Sequence, residues 1–513
     1  MSDEITNELT EERVKIASNS SYSFLGSIVN YFTSFFIGLF LARFLGPTNF
    51  GVYSLAVTIW SMFLTFSSIG INGSLQYAVS KYKARDDRPA LKWVAKNYLY
   101  LIVITSISLS VAMLVLSGPI ASFYHEPILR NLLIILAIGL TFYSLVNSFY
   151  QSLFSGYQLQ KYRFIVNATL DIMRVGQILV LYLGLSLIGV ISVYDVSYFV
   201  AFIIAFFLAR KIINHIKEVR KPTYEERKEL RSYSTFTYTG SLFSIFYSSF
   251  IVILLGVIAP NMSFVGFYRI GAVLSGLVGA PGGAIAIAFF PSITKMFEKK
   301  NYDYLYRLMK DSIRFSALIT IPLVFGAAVT VNPLIRLFYH QEFLGSAGPF
   351  LVLMTGVLIS SILSPLTTVL SASGKQKYSM YSTISGAMVG IILSILLIPR
   401  FFSTGAALVS LGVTVLTITI NLYFTRRYIE IKLPIGAIIK GTIAGLLMVG
   451  FILLLLANFT RLIELPFILV AAVILYIFLL YIFRAISRSD IIFILITVRL
   501  GRLARLFEQS KKI

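Results

Sequence analysis

The sequence predicts an all-α integral membrane protein with about fourteen transmembrane helices: two pseudo-symmetric six-helix lobes followed by two C-terminal helices. Three observations predict it. Of 513 residues, 57% are hydrophobic and only 13% are charged, where a soluble chain carries about 25% charged residues. Polar groups this scarce cannot cover a globule in water. Apolar runs long enough to cross a bilayer recur from end to end. The two halves of the chain also echo each other at a fixed offset.

A bilayer span needs about 20 mainly apolar residues. Windows of that kind fall at 21–42, 51–71, 97–117, 131–152, 164–184, 187–209, 235–258, 266–290, 313–331, 347–370, 379–399, 405–424, 436–457 and 465–484. The first twenty residues are polar and acidic. They lack the basic start, short apolar core and cleavage site of a signal peptide, so the first span is expected to act as its own insertion signal. The expected organisation is a cytoplasmic segment 1–20, an N-lobe 21–209, a basic linker 210–234, a C-lobe 235–424, two further spans within 425–484 and a tail 485–513. In the tail Ile491, Ile492, Leu495, Val498, Leu503 and Leu506 alternate with Arg488, Arg499, Arg502 and Arg505. That pattern predicts an amphipathic helix lying on the inner leaflet.

Loop charge gives the orientation. One alternate set of loops holds Lys81 to Lys96, Lys161 and Arg163, Arg210 to Arg231, Lys295 to Lys310, Lys375 and Lys377, and Arg426, Arg427 and Lys432. The other set holds little beyond Arg43, Arg130, Arg336, Arg400 and Arg461. The positive-inside rule then places both termini in the cytoplasm. The formal net charge of +22 sits in these loops, so it points to anionic membrane lipids as partners and not to nucleic acid.

The internal echo has an offset of roughly 215 residues. Leu45-Gly46-Pro47 to Gly51-Val52-Tyr53 matches Ile258-Ala259-Pro260 to Gly266-Phe267-Tyr268. Pro119 through His125 matches Pro333 through His340, and Ser155-Gly156 with Gln160-Lys161-Tyr162 matches Ser373-Gly374 with Gln376-Lys377-Tyr378. An even number of spans per half makes the repeat parallel, related by an axis along the membrane normal. Such a pair can enclose a cavity that opens to one side and then the other.

Ionisable groups inside spans are expensive, so each is a candidate site. Arg174 lies mid-span with Asp171 three residues earlier on the same face, and Asp195 lies in the next span. Arg174 can grip two phosphate oxygens or can simply pair with Asp171. Arg43 and Arg269, one from each lobe near the outer side, can receive the phosphate later or snorkel to headgroups. Asp171 and Asp195 are candidates for cavity charge or ion coupling. Lys81 and Lys295, equivalent by the repeat, flank the cytoplasmic mouth as entry residues or as ordinary anchors. Asn30, Asn72, Gln76, Gln151 and Gln177 can offer hydrogen bonds to a sugar. His125 and His340 occupy matching outer loops near Glu126 and Glu342. Interfacial loop positions are their default reading, and no metal is assigned. There are no cysteines, which excludes disulfides and thiolate chemistry, and no Walker lysine motif supports ATP hydrolysis. No cofactor is expected.

The text Ala42-Arg43-Phe44-Leu45-Gly46-Pro47 followed by Phe50-Gly51-Val52-Tyr53, together with Pro333-Leu334-Ile335-Arg336-Leu337-Phe338, Glu342-Phe343 and Ser373-Gly374-Lys375-Gln376, resembles the polysaccharide-unit exporters of the Wzx type. These belong to the multidrug/oligosaccharidyl-lipid/polysaccharide (MOP) superfamily. The resemblance implies a twelve-helix, two-lobe core with two extra helices in a prokaryotic cell membrane. It implies a monomeric flippase, not an enzyme. The cargo would be an oligosaccharide joined through phosphate or diphosphate to a polyprenol, with glycan-assembly enzymes as further partners. A MATE-type cation-coupled multidrug antiporter of the same superfamily is the alternative, separated by the excess of intramembrane arginine over carboxylate. A polytopic glycosyltransferase would need a sizeable outer loop, and every outer loop is short.

Overall fold

A computed structural model of the chain describes residues 2–184, 186–213, 218–373, 375–431, 433–458 and 464–485. Side chains of residues 2–28 and of Tyr31 and Lys295 lie outside the description, as does the expected amphipathic tail beyond Ala485. The described residues contain helices and turns and no strands. The helices are α1 (Ser2–Ser68), α2 (Ile71–Ala84), α3 (Arg88–Phe123), α4 (Pro127–Ser144), α5 (Gln151–Gly156), α6 (Gln160–Tyr182), α7 (Leu187–Ile213), α8 (Tyr224–Ile258), α9 (Ser263–Glu298), α10 (Tyr302–Val329), α11 (Val331–Tyr339), α12 (Ala347–Ala372), α13 (Gln376–Thr425), α14 (Ile435–Asn458) and α15 (Leu465–Ile482). A π-helical turn, Leu145–Tyr150, joins α4 to α5, and a 3-10 turn, Gln341–Ser346, precedes α12.

Among the described residues, 12 helical stretches are long and apolar enough to cross a membrane. The sequence windows number more because two stretches each contain two of them. Phe32–Ala84 has 53 residues and Lys377–Thr425 has 49; at 1.5 Å per residue each is about twice the bilayer core or longer. Both are broken. Gly46 sits at φ 70° beside Pro47, a conformation open to glycine, and Phe402 takes φ 45° next to Ser403. In each case two helices meet directly at the break, so one stretch covers two windows.

The described chain forms two compact units. The first comprises the residues up to Val273 with Phe338–Pro349 and Thr383–Val409. Trp60, Tyr82, Phe149, Phe154, Phe343 and Leu55 are among its fully buried side chains. The second comprises Leu274–Leu337, Phe350–Ser382 and the described residues from Ser410 onward. One end of its core is built from Ile293, Leu305, Met309, Ile313, Leu366, Val369 and Ile429. Another part packs Leu318 of α10 on Ala444 and Met448 of α14 and on Ala472 and Tyr476 of α15. There the Tyr476 hydroxyl donates to the Leu318 carbonyl at 3.0 Å.

The echo motifs meet inside the first unit. A Cβ on Gly51 would stand 1.9 Å from the Met262 carbonyl oxygen, and one on Gly266 would stand 2.4 Å from the Pro47 carbonyl oxygen. The Thr48 and Ser263 hydroxyls bond at 2.8 Å across 215 positions, the same offset that separates Gly51 from Gly266 and Pro47 from Met262. Residue i contacts j′ while i′ contacts j, the signature of a two-fold contact. The internal repeat is therefore present in the packing as well as in the text.

Candidate functional site

Arg174 of α6 sits within the first unit among aromatic side chains from three other helices. Its guanidinium lies 5.2 Å over the Tyr194 ring. Behind that ring, Trp60 of α1 packs edge-on against Tyr143 of α4 at 4.7 Å and against Tyr194 of α7 at 5.5 Å. Tyr198, one turn after Tyr194, closes the group at 4.5 Å from Tyr143 and 5.2 Å from Tyr194. The α7 pair meets because residues four apart share a helix face. A cation over such rings is held by their quadrupoles.

Arg174 does not pair with Asp171. Among the described residues no carboxylate forms an ion pair with it, and its Nε is buried without a hydrogen-bond partner. Asp171 is tied elsewhere: its Oδ1 accepts from Asn30 Nδ2 of α1 at 3.1 Å, and its Oδ2 is buried without a partner. Its Nε, one of five donors on the guanidinium, is thus left unsatisfied among aromatic side chains. Arg269 is half-buried on α9. The Tyr53 hydroxyl of α1 lies in the field of both Arg174 and Arg269, which brings two of the sequence-predicted arginines to one neighbourhood.

The third arginine is engaged. Arg43 Nε donates to His340 Nε2 at 2.7 Å. Asp195 of α7 packs on Gly139 of α4, where a Cβ would fall 2.2 Å from Oδ1, and both of its carboxylate oxygens are buried without partners.

The proposed entry lysine is also engaged. Lys81 Nζ bonds Glu229 Oε2 at 2.5 Å, and Glu229 Oε1 accepts from Tyr77. Beside it Arg85 pairs with Glu226 at 3.7 Å, and Arg220 pairs with Asp87 and with Glu226. Hydrogen bonding from the Arg220 guanidinium holds the Asp87 carboxyl below the usual carboxylate range. A Thr223–Glu226 capping box starts α8 here. Lys81, Arg85, Glu226 and Glu229 line a cleft of about 480 Å³. The side chain of Lys295 lies outside the described residues.

The sugar candidates divide. Asn72 and Gln76 are exposed one turn apart on α2. Gln151 donates to Asn167 Oδ1 at 2.6 Å and accepts from Arg163 Nε at 2.9 Å. Gln177 donates to the Val190 carbonyl at 3.0 Å between α6 and α7, and Asn30 serves Asp171. Sequence reasoning missed Trp60, Tyr143, Tyr194 and Tyr198. The four-residue spacing of the last two, one span after Arg174, was the available signal.

With this geometry in hand, comparison with known proteins decides the family. The family model described as "Polysaccharide biosynthesis protein" matches residues 16–297. The chain belongs to the polysaccharide biosynthesis protein family. It is 22% identical over 232 residues to the probable low-salt glycan biosynthesis flippase Agl15 of Haloferax volcanii, a match covering 45% of this chain and 49% of that one, about half its length. Its fold is similar to that of the lipid II flippase MurJ in an inward closed conformation, with a TM-score of 0.71, 16% identity and coverage of 91% and 98% of the two chains. It is also similar to an inward-facing MATE multidrug transporter of the MOP superfamily, with a TM-score of 0.64, 13% identity and coverage of 78% and 94%. This polysaccharide biosynthesis protein is accordingly a multi-pass membrane protein with the fold that these solved flippase and transporter structures share.

Proposed function

We propose that the protein flips a polyprenyl phosphate- or diphosphate-linked oligosaccharide from the cytoplasmic to the outer leaflet by alternating access between two lobes, for surface polysaccharide or glycan assembly. Both termini are cytoplasmic, and the two broken helices each cross twice, giving fourteen spans in the cell membrane. The observation that carries this reading is Arg174, a cation inside a span that forms no direct ion pair among the described residues and whose Nε is buried without a partner. A buried charge of that kind is costly unless something pairs with it, and a phosphate oxygen matches its donors. Arg269 extends the positive field. Arg43, once released from His340, can hold the phosphate near the outer side. Lys81 can meet the headgroup first when Glu229 lets it go. Asn72 and Gln76 face outward for sugar.

The test is flipping of a polyprenyl-phosphate-linked sugar in proteoliposomes. Arg174→Ala should abolish it while the protein still folds, because a lost charged hydrogen bond costs about 1.5–3 kcal/mol. Arg174→Lys should restore it only in part, since lysine lacks the planar fork. Normal flipping in Arg174→Ala would overturn the assignment. One observation favours a second reading: Asp195 and the Asn30–Asp171 bond place carboxylates inside the spans, as ion-coupled antiport requires. Loss of transport on Asp195→Asn would favour it.

A further inference from the structure

The basic loops of the two units are not built alike. In the first unit the cations Lys81, Arg85 and Arg220 are each neutralised by Glu229, Glu226 or Asp87. In the second, Lys375, Lys377, Arg426 and Arg427 are exposed, and among the described residues no carboxylate pairs with any of them. Glu430 is the one acid of the segment 426–431.

Three of these cations, Lys375, Lys377 and Arg427, stand on a packed platform, with Arg426 next to Arg427 in sequence. Tyr378, at the start of α13, stacks on Phe424 at its end, with centroids 4.4 Å apart and planes at 25°. Ser382 Oγ bonds Asn421 Oδ1 at 2.9 Å, and Thr425 Oγ1 donates to the Leu366 carbonyl at 3.3 Å. Ile429 is buried in the core beside Leu366 and Val369. The side chains lie over the rings: Lys375 Nζ 5.9 Å from the Tyr428 centroid, Lys377 Nζ 5.2 Å from that of Tyr378, and Arg427 5.0 Å from that of Tyr423. The charges of Lys377, Lys375 and Arg427 all bear on the Tyr378 hydroxyl.

Orienting a span requires only that lysine and arginine lie near its end. It does not require three of them to lie over the rings of one packed aromatic floor. Like charges gathered without a counter-charge repel, and an anion bound among them removes that cost. Ring faces steady the ammonium and guanidinium groups, and Arg427 Nη2 also donates to the Tyr423 hydroxyl at 2.8 Å. Lysine point charges beside an arginine fork suit phosphate oxygens.

We propose that this platform is a docking site for the phosphate headgroup of a membrane lipid, separate from Arg174. It rests on the proposed function only for its cytoplasmic side and for a lipid-linked glycan as one source of the phosphate. The other source is bulk anionic lipid.

The test uses the full chain in phosphatidylcholine nanodiscs, titrated separately with polyprenyl monophosphate and with phosphatidylglycerol, bound lipid being counted by native mass spectrometry. Binding should saturate. Lys377→Gln with Arg427→Gln should weaken it about tenfold or more, and the charge-conserving pair Lys377→Arg with Arg427→Lys should lose much less. Should the double neutralisation fail to fold, Arg426→Gln, at an exposed position, should still show a smaller loss. A loss confined to polyprenyl phosphate supports the site with the glycan carrier as its ligand. An equal loss for both lipids supports it with bulk lipid. Unsaturable binding, or binding unchanged in the neutralised variants, overturns it. The binding count requires no transport and compares the platform variants with wild type at an unchanged Arg174, so failure of the transport reading and failure of this site are read separately.

Discussion

Asp195 packs its carboxylate on the backbone of Gly139 with neither oxygen satisfied. A charge in that position costs more than a neutral amide of the same shape. Asp195→Asn should therefore leave thermal stability in detergent unchanged to within about 1 kcal/mol or raise it; a clear loss would mean that a partner for the carboxylate is essential. Gly139→Ala, in contrast, forces a Cβ into that carboxylate and should destabilise by about 1–3 kcal/mol. At this scale the sequence was legible for the charged groups, because an arginine or aspartate in an apolar run is expensive wherever it occurs. Their partners were not legible. Asn30 and Asp171 are 141 positions apart, and nothing in either stretch marks the contact. The rings around Arg174 were hidden among 30 tyrosines, since an aromatic in a span reads equally as a belt residue. Gln151 and Gln177 looked like sugar ligands for the same reason: a polar residue in an apolar run does not reveal whether it faces a cavity or a neighbouring helix.

Elements tell a different story, because breaks are written locally. Gly46-Pro47 announces the bend in α1. The bend at Phe402 in α13 falls between the windows 379–399 and 405–424, just after Pro399, whereas the π-turn at Leu145–Tyr150 has no glycine or proline within it. Such turns gather at functional sites, and this one runs into Gln151. The contact between the echo motifs is the clearest link from sequence to packing. Gly51→Ala and Gly266→Ala each drive a Cβ into a backbone carbonyl, and each should destabilise by about 1–3 kcal/mol or more. Because the contact is two-fold, the two effects should be similar in size. Gly118→Ala, with nothing within 4 Å, should be neutral on the same thermal-shift measurement. The Asp87–Arg220 pair that ties the α2–α3 turn to the segment before α8 is smaller in effect. Arg220 keeps Asp87 ionised to lower pH, so its contribution is present above the unfolded carboxylate value of about 3.9 and is lost as pH falls through the lowered one. Asp87→Asn should cost less than about 1 kcal/mol for so exposed a pair. The gap from wild type should hold between about pH 5 and 8 and close in acid below about pH 4.

For the whole molecule, composition and loop charge were sufficient for the class, since a bilayer imposes its length and its charge asymmetry on every span. The same asymmetry makes the side of each loop testable. A cysteine at Gln341 should be labelled from outside and one at Lys300 should not, both positions being exposed; the reverse pattern would invert the proposed topology. Orientation in turn decides the energetics. A phosphate leaving an inside-negative compartment gains about 2.3 kcal/mol per charge per 100 mV if it crosses the full field unpaired. Arg174 qualifies that gain, because a guanidinium that travels with the phosphate cancels one charge, whereas one that stays with its lobe does not. The aromatic packing around Arg174 joins four helices of one compact unit, which favours a cation fixed to its unit while the lipid headgroup passes it. Flipping in proteoliposomes should then accelerate under an imposed inside-negative potential, without an added ion gradient, and Asp195→Asn should keep that response. Transport that ignores potential, but stops when a proton or sodium gradient is collapsed, would instead place the driving force on the buried carboxylates.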